Sequence, residues 1–428
     1  MKHSPTRPAS SEVPAGPATV TVQLPLPLTE ALATIQEGFL GLCIDSGQQV
    51  LQALLEADRE RVCGPKGVPN PQRRAHRSGS VPSAITLGGR RVVVPRLRAH
   101  AMAGGEVGLP SFQWAAGRDL LDARTLEAIA IGVSTRHYRR SLEPLPASVE
   151  AEHAVSKSAV SRRFVALSTA RLTAFLAQPL GELNVRIILL DGLVLGDHVI
   201  LVALGITTDG HKHVLGLREG STENATVARA LLADLVERGL STDRALLFVI
   251  DGAKALRKAI RTVFGERALV QRCQVHKCRN VLEHLPEHRR PSVRRALQQA
   301  YDSPTATLAQ RRLEQLARSL EREHPGAAAS LREGLEETLT ILRLGVTGAL
   351  GRTLRSTNAI ENLNGLVGQF VRNVRRWRHG KMVERWVAGG LLEARTRFRR
   401  IRGYRHLPRL IAALDRSTKT LDNTQEVA

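Results

Sequence analysis

Aromatic residues are scarce. Phe, Tyr and Trp together make up 3% of a 428-residue chain whose hydrophobic fraction is 43%. A core of that size must therefore be built mostly from Leu, Val, Ala and Ile. Cysteine is scarcer still: four residues, at 43, 63, 273 and 278, form no extracellular disulfide framework, and a cytosolic chain keeps such thiols reduced. No apolar run approaches the ~18–20 residues of a membrane span. The opening Met1-Lys-His-Ser-Pro5 leads into a Pro/Ala/Ser-rich stretch with no signal-peptide core. These absences predict a cytoplasmic protein. Acidic residues are also short, with 40 Asp and Glu against 62 Lys and Arg, a net charge of +22. An excess this large predicts a polyanion partner, with affinity that falls steeply with salt. DNA, RNA and anionic membrane all fit the charge, but the lack of an anchor or a basic amphipathic N-terminus disfavours membrane. A basic, Arg-rich composition without any polyanion partner remains the plain alternative.

What is present divides the chain into seven segments. Residues 1–28 read as a disordered tail, and 29–118 hold a helical pair (29–62), a Gly/Pro/Arg-rich linker (64–83) and a hairpin around Gly88-Gly89. Residues 119–180 read as helical. Gly132 there separates a helix from a basic one, a helix-turn-helix-like pattern that suits DNA reading and equally suits ordinary helical packing. A second such start, at Val155–Arg163, offers Ser156 or Ser158 as a cap for a helix bearing Lys157, Arg162 and Arg163. Residues 181–274 change period. The pattern is three strand-like runs, a helix at 225–238 stopped by Gly239, a buried strand at 245–251 and another helix, a βββ-α-β-α order that predicts a mixed α/β core. Residues 275–350 read as helices alone. Residues 351–412 carry a long helix from Ser356 and a basic C-terminal stretch, and 413–428 read as a polar tail.

Three carboxylates stand out by position. Asp191 and Asp251 each follow an apolar strand-like run and precede a Gly, and Glu361 lies in the first turn of a predicted helix. Side chains displayed where strands end are held by rigid backbone beside open loops. Hard divalent cations such as Mg2+ prefer oxygen donors. Two of them about 3.5–4 Å apart can assist both the attacking and the leaving oxygen of a phosphoryl transfer. Taken singly, Asp-Gly is a common turn, and Glu361 can complete a capping box with Asn358 as N-cap. Asp197, Asp209, Glu219 and Glu223 are rival carboxylates in turns or loops.

Two further clusters carry chemistry. In Gln271-Arg-Cys-Gln-Val-His-Lys-Cys-Arg-Asn280, Cys273, His276 and Cys278 are candidate zinc ligands without an evident second pair. The stronger expectation is a strand-to-helix junction beside the active site, with His276 facing a phosphate or a carboxylate. Residues 372–406 hold twelve Lys and Arg, among them Arg372, Arg375 and Arg376, interleaved with Trp377, Trp386, Phe398 and Tyr404. That mixture suits a separated or bent nucleic-acid strand, or a solvated basic surface with its aromatics in the core.

At this point the residues resemble a known family. Gly205-Ile-Thr-Thr-Asp-Gly-His-Lys-His-Val-Leu-Gly216, Leu235-Val-Glu-Arg-Gly239, the Arg-Cys-x-x-His run ending at His276 and the Thr-Asn-x-Ile-Glu-x-x-Asn run ending at Asn364 are similar to bacterial Mutator-type insertion-sequence transposases, in order over residues 70–412. The resemblance implies a ribonuclease-H-like mixed sheet with an α-helical insertion and an N-terminal helical DNA-binding region. It implies an Asp191, Asp251, Glu361 metal triad with two Mg2+ or Mn2+ ions, and support from Cys273 and His276. It further implies cleavage at the element's terminal inverted repeats, strand transfer of the freed 3′-hydroxyl into target DNA, a homodimer or higher oligomer, and a nucleoid-associated location. Val227 and Ala228 stand where the family often has Trp. A structure-selective nuclease on the same scaffold, and a non-catalytic DNA-binding regulator derived from a transposase, are the alternatives.

Overall fold

The computed structural model describes residues 39–87, 90–117, 138, 151–152, 156–220, 222 and 224–426. They belong to two compact units, the first ending at Phe164 and the second beginning at Val165.

In the first unit, α1 (Phe39–Cys63) precedes a hairpin of β1 (Ala75–Leu87) and β2 (Arg90–Ala101), then β3 (Glu106–Val107), α2 (Pro110–Ala116), β4 (Ala151–Glu152) and the start of α3 (Lys157–Leu176). β2 lies between β1 and its short partners β3 and β4. The apolar side of the hairpin, Ile85, Val94 and Ala99, buries with Leu51 and Leu55 of α1 and with Leu109 and Ala115. The hairpin expected around Gly88-Gly89 is present, Leu87 pairing with Arg90.

Three expectations change. Over its described part the helical pair is one 25-residue helix, since neither Gly41 nor Gly47 interrupts it. The expected linker is partly strand: backbone pairing carries β1 from Ala75, with a register shift between Arg77 and Ser80 around Gly79, whose φ is +72°. Part of the predicted helical region, Ala151–Glu152, pairs with β2 instead. The helix-turn-helix expected before it falls in residues 118–137 and 139–150, outside the described residues. The second basic start does form a helix, with Ser156 Oγ accepting from the backbone N–H of Ala159 at 3.3 Å. Lys157 and Arg162 are exposed on it, and Arg163 is half-buried.

The second unit is built on a five-stranded sheet. β5 (Val185–Leu195), β6 (His198–Thr207) and β7 (Lys212–Glu219) form the expected antiparallel meander, followed by α4 (Ala225–Glu237), β8 (Leu246–Ile250), α5 (Lys254–Phe264) and β9 (Ala268–Arg272). The strand order is β7-β6-β5-β8-β9, with β5, β8 and β9 parallel. Alternation of side chains along each strand sorts the core into two layers. Ile188, Leu190, Phe248 and Ile250 pack against α4 and α5, while Ile187, Leu189, Leu247 and Val249 face the C-terminal helices. Leu, Ile, Val and Ala make up most of both layers, as the composition demanded.

After β9 the chain is helical, as expected: α6 (Gln274–Glu283), α7 (Arg290–Tyr301), α8 (Ala306–Glu321), α9 (Pro325–Arg332), α10 (Thr340–Arg343) and α11 (Gly348–Leu354). Val281, Leu297, Leu313, Leu331 and Leu339 give this region a core of its own. Then α12 (Asn358–Val371), α13 (Gly380–Arg395) and α14 (Leu407–Glu426) return to the sheet. The expected C-terminal tail is helix as far as Glu426. Leu410, Ala413 and Leu414 are buried at its start, and Asp415 pairs with the buried Arg186 of β5. Among the described residues no helix is long and apolar enough to cross a membrane.

Candidate active site

Strand register brings Asp191 and Asp251 side by side. β5 and β8 pair Ile187 with Leu247 and Leu189 with Val249. Each aspartate lies two residues past that last pair, near enough for the charge of Asp251 to act on Asp191. Both have the parity of Leu189 and Val249, which face the C-terminal helices. Only Asp251 lies at a strand end, however. β5 runs on to Leu195, because β6 keeps pairing with it from Asp191↔Val202 to Leu195↔His198. Asp251 Oδ1 accepts from the backbone N–H of Ala253 at 2.9 Å. The Gly after it is required: its φ is +110°, and a Cβ there would meet Arg272 Nε at 2.0 Å.

Glu361 arrives on α12. The capping box does not form. Asn358 is the first helical residue and Thr357 the cap, so Glu361 sits one position too late to reach back to the cap amide. Instead the Thr357 hydroxyl donates to the Glu361 carboxylate. Thr357, Glu361 and Asn364 follow i, i+4, i+7 spacing and line one polar stripe, beside a buried stripe of Ile360, Leu363, Val367 and Val371. Asn364, buried at 7% exposure, donates from Nδ2 to Asp191 Oδ2 at 2.9 Å. Its own Oδ1 is buried with no hydrogen-bond partner.

The electrostatics register this convergence. Asp191 is pushed up to about 6, first by burial and further by the negative charges of Asp251 and Glu361. A hydrogen bond from the Gly192 backbone and the charge of His276 work against the rise.

Cys273 and His276 complete the polar pocket. Cys273 Sγ lies 3.3 Å from Thr357 Oγ1 and accepts from the N–H groups of Thr357 (3.4 Å) and His276 (3.5 Å). His276 Nδ1 lies 3.9 Å from Glu361 Oε1 and 3.3 Å from Thr357 Oγ1. Burial works to raise the Cys273 thiol, but hydrogen bonds from His276 and Thr357 outweigh it and hold it below its usual value. The same contact with Cys273 leads in raising His276, despite burial, with Glu361 and Asp251 adding to it. Among the described residues, the group of potential metal ligands whose donor atoms all lie within 4.8 Å of one another is Cys273, His276 and Glu361. The two aspartates stand outside that tight group, and so does Cys278, a candidate zinc ligand by sequence.

Four other residues of the Gln271–Asn280 run are structural. Gln271 Nε2 donates to the carbonyl of Thr338 (2.9 Å), and its Oε1 accepts from Ile341 N–H (2.8 Å). Gln274 Nε2 donates to the Thr338 carbonyl as well (2.8 Å), and Arg272 pairs with Glu333 at 3.1 Å. Fully buried Lys277 donates to the carbonyls of Ser330 and Glu333. These side chains stitch β9 and α6 to the turns after α9 and before α10.

Rival carboxylates have other work or other places. Asp209 accepts from Thr207 in its turn, Glu219 accepts from His198 at 2.6 Å, Asp197 is exposed at the β5–β6 turn, and Glu223 lies outside the described residues. Arg372, Arg375 and Arg376 are exposed just after α12. The aromatics between the basic residues are not: Trp377, Trp386, Phe398 and Tyr404 are partly buried against the sheet core, and Trp386 packs on Phe370 with ring centroids 6.2 Å apart. Thr357 and Asn364 are the site residues that sequence reasoning did not single out. Their signal was the helical spacing to Glu361.

Comparison with known proteins gives the family. The family described as "Transposase, Mutator family" matches residues 26–400. The transposase for insertion sequence element ISRM5 of Rhizobium meliloti is 30% identical over 74% of this chain and 78% of its own length. The transposase for IS256 in transposon Tn4001 of Staphylococcus aureus is 29% identical over 64% of this chain and 70% of its own. The transposase for IS1081 of Mycobacterium tuberculosis is 29% identical over 70% of each. With a family match across most of its length, this chain belongs to the Mutator family of transposases.

Proposed function

We propose that the chain is a DNA transposase of the Asp-Asp-Glu type, cutting at the terminal inverted repeats of its element and joining the freed 3′-hydroxyls to target DNA. The observation that carries this reading is that Asp191, Asp251 and Glu361, successively 60 and 110 residues apart in sequence, lie close enough on one side of the sheet for Asp251 and Glu361 to act on the charge of Asp191. The strand order, an antiparallel meander extended by two parallel strands on the side of β5, supports a ribonuclease-H-like core with α6–α11 as its helical insertion.

The donor set fits divalent metal. Three carboxylates offer the hard oxygen ligands that Mg2+ and Mn2+ prefer. Burial first, and then the charges of Asp251 and Glu361, raise Asp191, a cost that a cation at the site relieves. Asp191, Asp251 and Glu361 would hold two such ions. When bound, these supply Lewis acidity to the attacking and leaving oxygens of phosphoryl transfer. The protein's own groups set the stage. Asn364 fixes the Asp191 carboxylate, the Ala253 amide fixes Asp251, and Thr357 with His276 holds Glu361. Lys157, Arg162, Arg163, Arg372, Arg375 and Arg376 are assigned to DNA backbone contacts in this reading. Two ends must be brought together, so at least a dimer is expected.

The test is Mg2+-dependent cleavage and strand transfer on DNA carrying the element's ends. Asp251→Asn is expected to lose both while still binding the ends. Cutting by that variant at the wild-type rate would sink the triad. Cleavage without joined product would favour a nuclease, and binding without turnover a regulator.

A further inference from the structure

An open groove of about 680 Å3 lies between α6, α7 and the segment joining α11 to α12. Five arginines line it, Arg279, Arg290, Arg294, Arg352 and Arg355, against two carboxylates, Glu283 and Asp302. Arg355 is committed to Asp302, at 3.2 Å, and to the Tyr301 carbonyl at 2.7 Å. Arg290 donates from Nε to the Leu285 carbonyl at 2.9 Å. Arg279, Arg294 and Arg352 are exposed and have no hydrogen-bond or ion-pair partner among the described residues. Three unpaired guanidinium groups sharing one concavity repel each other, and a polyanion relieves that repulsion.

The groove shares its walls with the candidate active site through chain neighbours, Gln274 following Cys273 and Asn358 following Thr357. Gln274 and Asn358 line it. Each opens the helix that carries His276 or Glu361, so the positive ends of both helix dipoles add to the arginines. The Gln274 N–H donates to the Arg355 carbonyl at 2.9 Å, which ties the two walls together directly beneath Cys273 and Thr357. Val275, 43% exposed beside His276, adds an apolar contact to the lining. The volume is that of small-ligand sites, which run from roughly 300 to 1,000 Å3, so it suits one strand and is too small to enclose a duplex.

We infer that this groove binds the sugar-phosphate backbone of a single, unpaired DNA strand next to the scissile phosphate, with Arg279, Arg294 and Arg352 as the phosphate contacts. The inference rests on the transposase reading and gives the helical region between β9 and α12 a role in holding substrate. Contacts of this kind carry no base readout, so the grip is independent of sequence.

The experiment measures binding of the full-length protein, in chelator, to a labelled duplex with an unpaired single-stranded tail and to the same duplex with a blunt end, across a salt series. The variant is Arg279→Ala with Arg294→Ala. Its controls are Arg279→Lys with Arg294→Lys, and Arg311→Ala with Arg318→Ala, which removes two exposed arginines of α8 outside the groove. For the alanine variant the slope of log affinity against log salt on tailed DNA should fall by about 1.4, at about 0.7 per lost contact on a single strand. The blunt duplex should be unaffected, and the lysine variant and the α8 control should keep the wild-type slope. An unchanged slope, or an equal loss on blunt duplex, overturns the inference. Because binding is read without metal, cleavage by the wild type with Mg2+ decides the catalytic reading separately.

Discussion

Asn364 of α12 and Asp191 of β5, 173 residues apart in sequence, are joined by a 2.9 Å hydrogen bond from Nδ2 to Oδ2. The bond fixes how the Glu361 helix docks on the sheet and which Asp191 oxygen is left for other partners. Partners that orient ligands in this way are typically worth ~10- to 100-fold in metal affinity or activity. Asn364→Ala is therefore expected to slow Mg2+-dependent strand cleavage by about that factor, most strongly at limiting Mg2+, with little change in DNA affinity. Asn364→Asp, which sets a fourth carboxylate against Asp191, should be worse. Wild-type cleavage by Asn364→Ala at limiting Mg2+ would remove the residue from the site.

Burial and its acidic neighbours hold Asp191 near 6, above its ordinary 3.8. Between those values the folded metal-free protein binds a proton that the unfolded chain has released. The stability this group contributes is thus complete below about pH 4 and is lost as pH rises through about 6, a swing of about 3 kcal/mol at 1.36 kcal/mol per unit. In chelator, wild type should lose melting temperature over this window relative to Asp191→Asn. Added Mg2+ should restore it above about pH 6 and do little below. Parallel pH profiles of the two proteins would contradict this.

Gly252 is the hinge behind Asp251. An added methyl group there meets both a positive φ and the side chain of Arg272, itself buried and paired with Glu333. Gly252→Ala is expected to cost at least about 2 kcal/mol in denaturant unfolding and to abolish cleavage. Gly348→Ala, at φ +66° in open space, should cost only about 1 kcal/mol. Equal losses at the two positions would show that crowding against Arg272 does not matter.

Lys277 holds the carbonyls of Ser330 and Glu333 from a fully buried position. Lys277→Met fills the same space but leaves the Ser330 carbonyl without this donor, at about 1–3 kcal/mol, while the Glu333 carbonyl keeps Arg272 Nη1 at 3.1 Å. Hydrogen exchange should show faster opening of α9 and the turn that follows it. The sheet strands β5 and β6 should keep their protection. Uniform acceleration across the chain would mean that the helical region is not anchored locally.

Much of this was legible in sequence because the sheet writes two patterns at once. Fully apolar runs such as Ile187–Leu190 and Leu246–Ile250 declared strands covered on both faces. The long apolar stripe of α12 declared the helix that covers one of them. Asp191 was misread as terminal because Gly192 looked like a stop. Pairing with β6 overrides that, a long-range fact no local window contains. The capping box at Asn358 failed for a similar reason: Thr357 is pulled to Cys273, 84 residues away. Asn364 closed a recognised motif but was given no role, because an Asn inside a helix has no local signature and only its partner across the fold gives it one. Within Gln271–Asn280, sequence could not separate the two residues that face the carboxylates from the four that fasten β9 and α6 to the helical region.

The helices carrying Ile360, Val367, Leu391 and Leu410 close one whole side of the sheet, and they are synthesised after all the described strands. A ribosome that has reached residue 357 has made every strand, yet the layer of Ile187, Leu189, Leu247 and Val249 still lacks its main cover. Such a fragment is greasy and short one acid of three. Quality-control proteases that recognise exposed apolar surface would then clear prematurely terminated copies, so that broken versions of the gene leave little inert protein to compete for DNA with intact copies.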